Sequence, residues 1–184
     1  MYLFQSDHYV DKNTFSSVID SFYVGNYEIE YLTNTSGYII ASHEFALLFA
    51  EVLPTISSDL GTKLVFVCAH DLTDVSKSAL NYCYQNMQGF NYLSDVVLEQ
   101  LFTNLNETKK SIINEFCLVP RELILTAQAY LKAGLNAKAA SEMLYIHRNT
   151  FNYRLTKFID ITNLDIRDYW NAFYFNLYLK MLNK

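Results

Sequence analysis

Helical and strand-like patterns of apolar residues alternate through the first half of the chain. The segment FSSVIDSF has helical spacing, YEIEYLT alternates as a strand does, and SGYIIAS follows the turn-like NTSG as a second short strand. The run KLVFVCA is continuously apolar, which is typical of a buried strand. Together these patterns predict an α+β domain with a small sheet.

Further helices are predicted around and after these strands. Residues 44–60 have the pattern of a helix interrupted near Pro54, and DLTDVSKSALNYCYQNM opens with Asp71 and Thr73 as capping candidates. YLSDVVLEQLF and NETKKSIINEF indicate two more helices, and Pro120 suits the first turn of the next one. We place a domain boundary near residue 117, which gives domains 1–116 and 117–184.

Beyond this boundary every pattern is helical. Gly134 is placed to end a first helix, and Asn136 to cap a short second helix, AKAASEML. A third helix, about residues 148–162, begins after YIH. Its apolar residues Phe151, Leu155 and Phe158 follow helical spacing, so one face packs and the polar face stays free.

The last segment carries a wide, partly aromatic stripe at helical spacing. Two interpretations remain open: the stripe belongs to the core of the helical domain, or it forms a dimer interface. The stripe consists of Trp170, Phe173, Tyr174, Leu177, Tyr178, Met181 and Leu182.

The net charge of −5 hides a division between the two predicted domains. Residues 1–116 contain five Lys/Arg and fourteen Asp/Glu, a formal charge of −9, whereas residues 117–184 contain nine and five, a charge of +4. Such asymmetry indicates a module that binds a polyanion, attached to a part with another task.

The remaining composition predicts a soluble, cytoplasmic protein that is folded throughout. The sequence is 51% hydrophobic, begins with no basic and apolar leader pattern, and has no uninterrupted apolar run of membrane-spanning length. The cysteines Cys68, Cys83 and Cys117 form no CxxC pair, so we expect reduced thiols packed in a core and no metal site.

A short helix, a turn and a second helix with a polar outer face form the helix-turn-helix pattern, whose second helix lies in the DNA major groove. The start of the third predicted helix reads HRNT. Arginine can donate two parallel hydrogen bonds to guanine, and asparagine can pair bidentately with adenine. Threonine, tyrosine and lysine reach phosphates, and the helix N-terminus adds attraction for anions.

Residues 122–168 closely resemble the C-terminal helix-turn-helix domain of the PucR and CdaR transcriptional regulators. The departures from the family pattern are Ala139 for Thr or Ser, Phe151 for Leu, Asn152 at a frequently basic position, and Asn163 for Gly. From this departure at Asn152 we expect a weaker phosphate contact or a shifted base preference. The matching positions are Leu123, Thr126, Tyr130, Leu131, Asn136, Ala140, Leu144, Ile146, His147, Arg148, Asn149, Thr150, Tyr153, Arg154, Leu155, Thr162, Leu164, Asp165 and Asp168.

The resemblance implies a role for each polar residue of the third helix. Arg148 and Asn149 are expected at base edges, and His147 is expected to cap the helix or pack in the turn. For Arg154 a structural salt bridge to the preceding helices competes evenly with phosphate binding. The resemblance implies double-stranded DNA as the partner, a homodimer and an effector of unknown identity; the expected phosphate or groove-wall contacts are Thr150, Asn152, Tyr153 and Lys157.

The first half is similar, more faintly, to the truncated GGDEF-like domain that precedes this module in the family. The similar part is DLTDVSKSALNYCYQNMQGFNYLSDVVLEQLF. The five glycines are all isolated and no GGDEF motif occurs, so cyclase chemistry is not expected. The predicted architecture is an α+β regulatory or assembly domain followed by an all-α helix-turn-helix domain.

Two other classes of function compete with this reading. In the segment CAHD, Cys68 to Asp71, a thiol, an imidazole and a carboxylate follow a predicted strand, which could indicate a metal site or a nucleophile. A histidine at a strand end and a helix-capping aspartate explain the same letters, and we predict no catalytic residue and no cofactor. The other class is an effector- or protein-binding module that has lost DNA binding.

Overall fold

The structure, a computed structural model, describes residues 1–182 and divides into two compact units. The first unit is Met1–Val96 and the second begins at Val97. The boundary that we placed after residue 116 therefore falls inside the second unit, and the packing of the last helix, described below, gives the reason.

The first unit contains a mixed sheet with helices in its crossover connections. The strand order is β2-β3-β1-β4-β5, with β4 and β5 parallel and the other neighbours antiparallel. The first four strands, with the two helices between them, follow the β-α-β-β-α-β order of ferredoxin-like folds. The elements are β1 (Tyr2–Ser6), α1 (Lys12–Phe22), β2 (Tyr27–Tyr31), β3 (Ser36–Ala41), α2 (His43–Asp59), β4 (Leu64–Cys68), α3 (Asp74–Asn86), β5 (Gly89–Tyr92) and α4 (Leu93–Thr103), whose later residues belong to the second unit.

Each face of this sheet is apolar where a helix covers it. Phe4 of β1 lies 5.1 Å, between ring centroids, from Phe15 of α1, and Phe66 of β4 lies 4.9 Å from Phe49 of α2. Because side chains alternate along a strand, Leu3 points to the opposite face, where α3 packs against β1 and β4. The α+β class predicted from the sequence is confirmed.

Strand β2 forms one edge of the sheet. Ile29 is buried in the core, whereas its neighbours Glu28 and Glu30 are exposed on the other face of the strand. The edge therefore carries two carboxylates beside its hydrogen-bonding groups.

The prediction of an interruption at Pro54 is wrong, because α2 continues through this residue. Pro54 has no N–H to donate to the carbonyl of Ala50, four residues earlier. Both residues lie on the exposed face of the helix, where water can solvate that carbonyl. Phe49 and Leu53, on one side of the proline, and Ile56, on the other, are buried and hold both parts of the helix on the sheet.

Two further differences concern elements of the first unit. The sequence patterns did not predict β1, which is the central strand, or β5. Of the two capping candidates before α3, Thr73 is the cap: its side chain accepts a hydrogen bond from the Ser76 backbone N–H at 3.1 Å. Asp71 instead accepts from the N–H of Leu72 at 2.7 Å.

The second unit is helical in the described residues. Phe116 follows α5 (Leu105–Glu115) and packs on the last helix, with its ring centroid 4.3 Å from that of Tyr178. The Tyr174 hydroxyl donates to the Glu115 carboxylate at 2.9 Å, and burial raises the pKa of Tyr174 well above its ordinary value. This packing includes α5 in the second unit, together with α6 (Arg121–Lys132), α7 (Ala137–Met143), α8 (Arg148–Thr162) and α9 (Tyr169–Leu182).

The apolar stripe of α9 contributes to the core of this unit. Tyr174, Leu177 and Tyr178 are buried, which confirms the core interpretation for the middle of the stripe. Phe175 and Leu179, which lie off the stripe, are also buried, because α9 packs against α6 as well as α5.

The three cysteines occupy different environments. Cys83 is buried and Cys68 is half-buried, but Cys117 is exposed, so the prediction that all three pack in a core is wrong for Cys117. Cys117 lies in the turns between α5 and α6, where its neighbour Leu118 is also exposed. No helix within residues 1–182 is both long and apolar enough to cross a lipid bilayer.

Candidate nucleic-acid interface

Helix α7 begins at the cap that the sequence predicts. The Asn136 side-chain oxygen accepts hydrogen bonds from the backbone N–H groups of Lys138 and Ala139, at 3.0 and 3.1 Å. Gly134 ends α6 with a φ of 64°, a left-handed conformation that glycine adopts at little cost. Both capping predictions for this turn are confirmed.

A tight turn joins α7 to α8. The Tyr145 N–H donates to the Glu142 carbonyl and the Ile146 N–H to the Ser141 carbonyl, both at 3.1 Å. These two bonds are those of a Schellman motif, which satisfies the last carbonyls of a helix. The motif requires a left-handed residue, here Tyr145 with a φ of 54°.

His147 caps the N-terminus of α8. Its Nδ1 atom accepts a hydrogen bond from the Asn149 backbone N–H at 3.2 Å. Of the two roles expected for His147, capping the helix or packing in the turn, the structure shows the cap. Helix α8 then runs from Arg148 to Thr162, with the bounds that the sequence predicts.

One face of α8 is buried against the other helices of the unit. The Phe151 ring lies 6.0 Å from that of Tyr130 in α6, and the Phe158 ring lies 5.1 Å from that of Phe175 in α9. Leu155, between them in sequence, is also buried. The apolar spacing therefore anchors α8 as predicted and fixes which face is turned to solvent.

The other face of α8 presents polar side chains to solvent. Lys157 Nζ lies 5.9 Å from the centroid of the Tyr153 ring, one helical turn away, which is a cation–π arrangement. The predicted contact residues that are exposed on α8 are Arg148, Asn149, Thr150, Asn152, Tyr153 and Lys157.

Arg154 differs from these residues because it is held by α6. Its Nη2 atom lies 3.1 Å from Oε2 of Glu122, and the two side chains are 28% and 57% exposed. The salt bridge that was one of two alternatives for Arg154 is thus formed. Its partner is 32 positions earlier in the sequence, at the start of α6.

The positively charged side chains on the exposed face of α8 lie within its first three turns. Within the described residues, the first turn of α8 contains no acidic residue, and the positive end of the helix dipole attracts anions there. Arg148 and Lys157 supply positive charge, and Lys138 of α7 is also exposed. Asp160 introduces a negative charge near the C-terminal end. A polyanion is therefore best accommodated at the first three turns.

Tyr145 is a candidate residue that the sequence patterns did not single out. Its side chain is 95% exposed in the connection between α7 and α8. The available signal was a bulky residue immediately after α7, at the position where glycine usually ends a helix. This signal becomes visible only once the end of the helix is known.

The segment CAHD runs from the end of β4 into the loop before α3. Among the described residues, no group of three or more His, Cys, Asp and Glu side chains is placed to hold a metal ion. Asp71 is engaged with the backbone of its own loop, as described above.

The chain is similar to known proteins in sequence and in structure. The Proline-responsive transcriptional activator PutR of Bacillus subtilis (strain 168) is 35% identical over 63 residues, which are 34% of this chain and only 15% of that protein. The crystal structure of Regulator of Polyketide Synthase Expression from Bifidobacterium adolescentis covers 97% of this chain and 78% of its own, with 14% identity and a TM-score of 0.49. The family described as the PucR C-terminal helix-turn-helix domain matches residues 123–181. The matched residues run from α6 to α9 and include the helix-turn-helix formed by α7 and α8.

Proposed function

We propose that the protein is a sequence-specific, DNA-binding transcriptional regulator in which α8 enters the major groove. The observation that carries this proposal is the free face of α8, which presents six polar or basic side chains beside an acid-free helix N-terminus. In helix-turn-helix proteins the N-terminal residues of the second helix contact base edges. Its relative PutR is named a transcriptional activator.

The residues of this face divide by the chemistry of their side chains. Arg148 and Asn149 lie at the start of α8 and can each pair with a base edge through two hydrogen bonds. Lys157 supplies a charge for phosphate, and the cation–π contact with Tyr153 orders it. The proposed contacts to phosphates or groove walls are Thr150, Asn152, Tyr153 and Lys157.

We assign Arg154 to positioning α8 rather than to a first contact with DNA. Its guanidinium is turned toward Glu122, so a phosphate contact requires this bond to break or to be shared. Held on α6, the side chain helps to fix the angle at which the outer face of α8 is presented.

The rest of the chain fits a regulatory protein of the bacterial cytoplasm. We propose a homodimer, which reads two half-sites about 34 Å, one helical turn, apart. The first unit, with its net negative charge, is proposed as a GGDEF-like remnant for regulation or assembly that binds an unidentified effector and catalyses no reaction. Its β-α-β-β-α-β order supports a regulatory sheet domain of this kind but identifies no ligand.

The experiment measures binding of the full chain to a fluorescent random-sequence duplex as salt is raised. Affinity should fall linearly in a log–log plot, because bound phosphates release counterions. Arg148→Ala combined with Asn149→Ala should weaken binding, whereas Asn106→Ala combined with Lys110→Ala, exposed on α5, makes the same change of charge and should not. Selection of sites from random DNA then gives the sequence and half-site spacing.

The alternative is a protein- or effector-binding module without DNA binding. The exposed carboxylates of Glu142 in α7 and Asp160 in α8 and the uncharged Asn152 favour it. This alternative stands if the wild-type chain shows no salt-dependent binding at low ionic strength. DNA binding that the Arg148 and Asn149 substitutions leave unchanged would instead refute the role proposed for the start of α8.

A further inference from the structure

The turn before α8 contains an exposed aromatic side chain that the proposed contacts do not use. Tyr145 is 95% exposed, whereas its two neighbours Leu144 and Ile146 are half-buried. The tyrosine ring therefore contributes little to the packing of the unit.

The backbone at Tyr145 makes this choice of residue more unusual. Its φ of 54° lies in the left-handed region, where a Cβ atom crowds the following carbonyl. The equivalent turn after α6 has Gly134 at the left-handed position. A glycine would close the α7 turn with the same hydrogen bonds and without the steric conflict. Neither packing nor backbone geometry explains a tyrosine here.

The position of Tyr145 relates it to the groove that α8 is proposed to enter. It precedes Arg148, a proposed base contact, by three residues, so their Cα atoms are at most about 10 Å apart. The major groove is about 12 Å wide, and a chain that enters it must cross one of its phosphate rims. The segment just before α8 is placed to make that crossing.

We propose that the Tyr145 hydroxyl donates a hydrogen bond to a DNA phosphate at the rim of this groove. The inference rests on the proposed function and adds a contact to it. Tyrosine is among the side chains that hold the DNA backbone, and such contacts fix the register of a protein without reading sequence. The left-handed turn aims the side chain outward, beside the exposed start of α8.

The test compares Tyr145→Phe and Tyr145→Gly with the wild-type full chain on the random-sequence duplex. Loss of one neutral hydrogen bond should weaken binding by roughly three- to tenfold in both variants. The slope of affinity against salt should not change, because no charge is removed. Tyr169→Phe, which removes another exposed tyrosine hydroxyl of the same unit, should bind as the wild type does.

Unfolding measurements exclude a structural explanation. The midpoint of thermal unfolding should be unchanged for Tyr145→Phe and unchanged or higher for Tyr145→Gly, because glycine relieves the crowding. Wild-type affinity in either Tyr145 variant overturns the inference, as does a lower midpoint that accounts for the weaker binding. If the wild-type chain itself binds no DNA, the proposed function fails and this contact fails with it.

Discussion

Replacing Arg154 and Glu122, singly and together, separates positioning of α8 from direct contact with DNA. The variants are Arg154→Ala, Glu122→Ala and the double substitution. If Arg154 acts through Glu122, each single change should lower the stability of the second unit. The double change should cost less than the sum of the two.

The size of this coupling follows from the geometry. Opposite unit charges 3.1 Å apart attract by about 5 kcal/mol at an effective dielectric constant of about 20. The two side chains are 28% and 57% exposed, so water and salt screen most of this attraction and ordering the side chains opposes the rest. Measured exposed pairs contribute about 0.2–1 kcal/mol. We therefore expect a coupling energy of about 0.5–1 kcal/mol.

The assay is urea unfolding followed by tryptophan fluorescence. Trp170 is the sole tryptophan of the chain and lies in α9, so its signal reports on the second unit. DNA binding is measured in parallel as a function of salt. A positioning role predicts a modest loss of affinity for Arg154→Ala with little change in the salt slope.

The opposite outcome would refute this reasoning. A phosphate contact predicts that Arg154→Ala lowers the salt slope by about one, and that Glu122→Ala tightens binding because it releases the guanidinium. A coupling energy near zero, combined with that change in slope, would show that the salt bridge between Arg154 and Glu122 does not position α8 and that Arg154 contacts phosphate instead.

Two further predictions concern other parts of the chain. Burial raises the pKa of the Tyr31 hydroxyl to about 12 in the folded protein. The protonated hydroxyl therefore contributes fully to the stability of the fold below the ordinary tyrosine pKa of 10. This contribution is lost as pH rises from 10 through 12. Alkaline unfolding should be less steep with pH in Tyr31→Phe, and an unchanged profile would contradict this. Burial also raises the pKa of the Cys83 thiol to about 11, which leaves about one thiolate in a thousand at pH 8. Mass spectrometry should show alkylation of exposed Cys117 in the native protein and of Cys83 only after unfolding; equal rates would show that the first unit opens readily.

The helices of the second unit could be predicted closely because their signals are local. Asn136 and Gly134 act within a few residues of the helix ends they determine, and Phe151, Leu155 and Phe158 repeat with the helical period. Local hydrogen bonds and one-sided burial therefore sufficed to place α7 and α8.

The strands of the first unit could be predicted less completely, because its sheet forms by pairing of strands that are distant in sequence. Strand β1 is short and lacks clear alternation, since all but Gln5 of its residues are buried, and its partners are β3 and β4. Strand β5 has four residues, too few for a pattern. Pro54 was misjudged because its effect depends on which face of α2 meets the sheet.

The candidate site shows the same division between local and distant information. The exposed polar face of α8 could be predicted from its spacing, and the family resemblance gave the His147 cap as one of two roles. The partner of Arg154 could not, because Glu122 meets it only through the packing of α6 on α8. Tyr145 could not be singled out from the sequence, because its left-handed φ angle and its exposure appear only in the structure.

The two carboxylates on β2 bear on how copies of the chain can associate. An edge strand offers unpaired N–H and carbonyl groups to any second strand, and like charges facing one another oppose that pairing. A copy that docked its own β2 in antiparallel register would bring Glu28 and Glu30 against the same residues of its neighbour. Self-assembly by extending the sheet at β2 is thus discouraged, which directs any symmetric pairing to other surfaces.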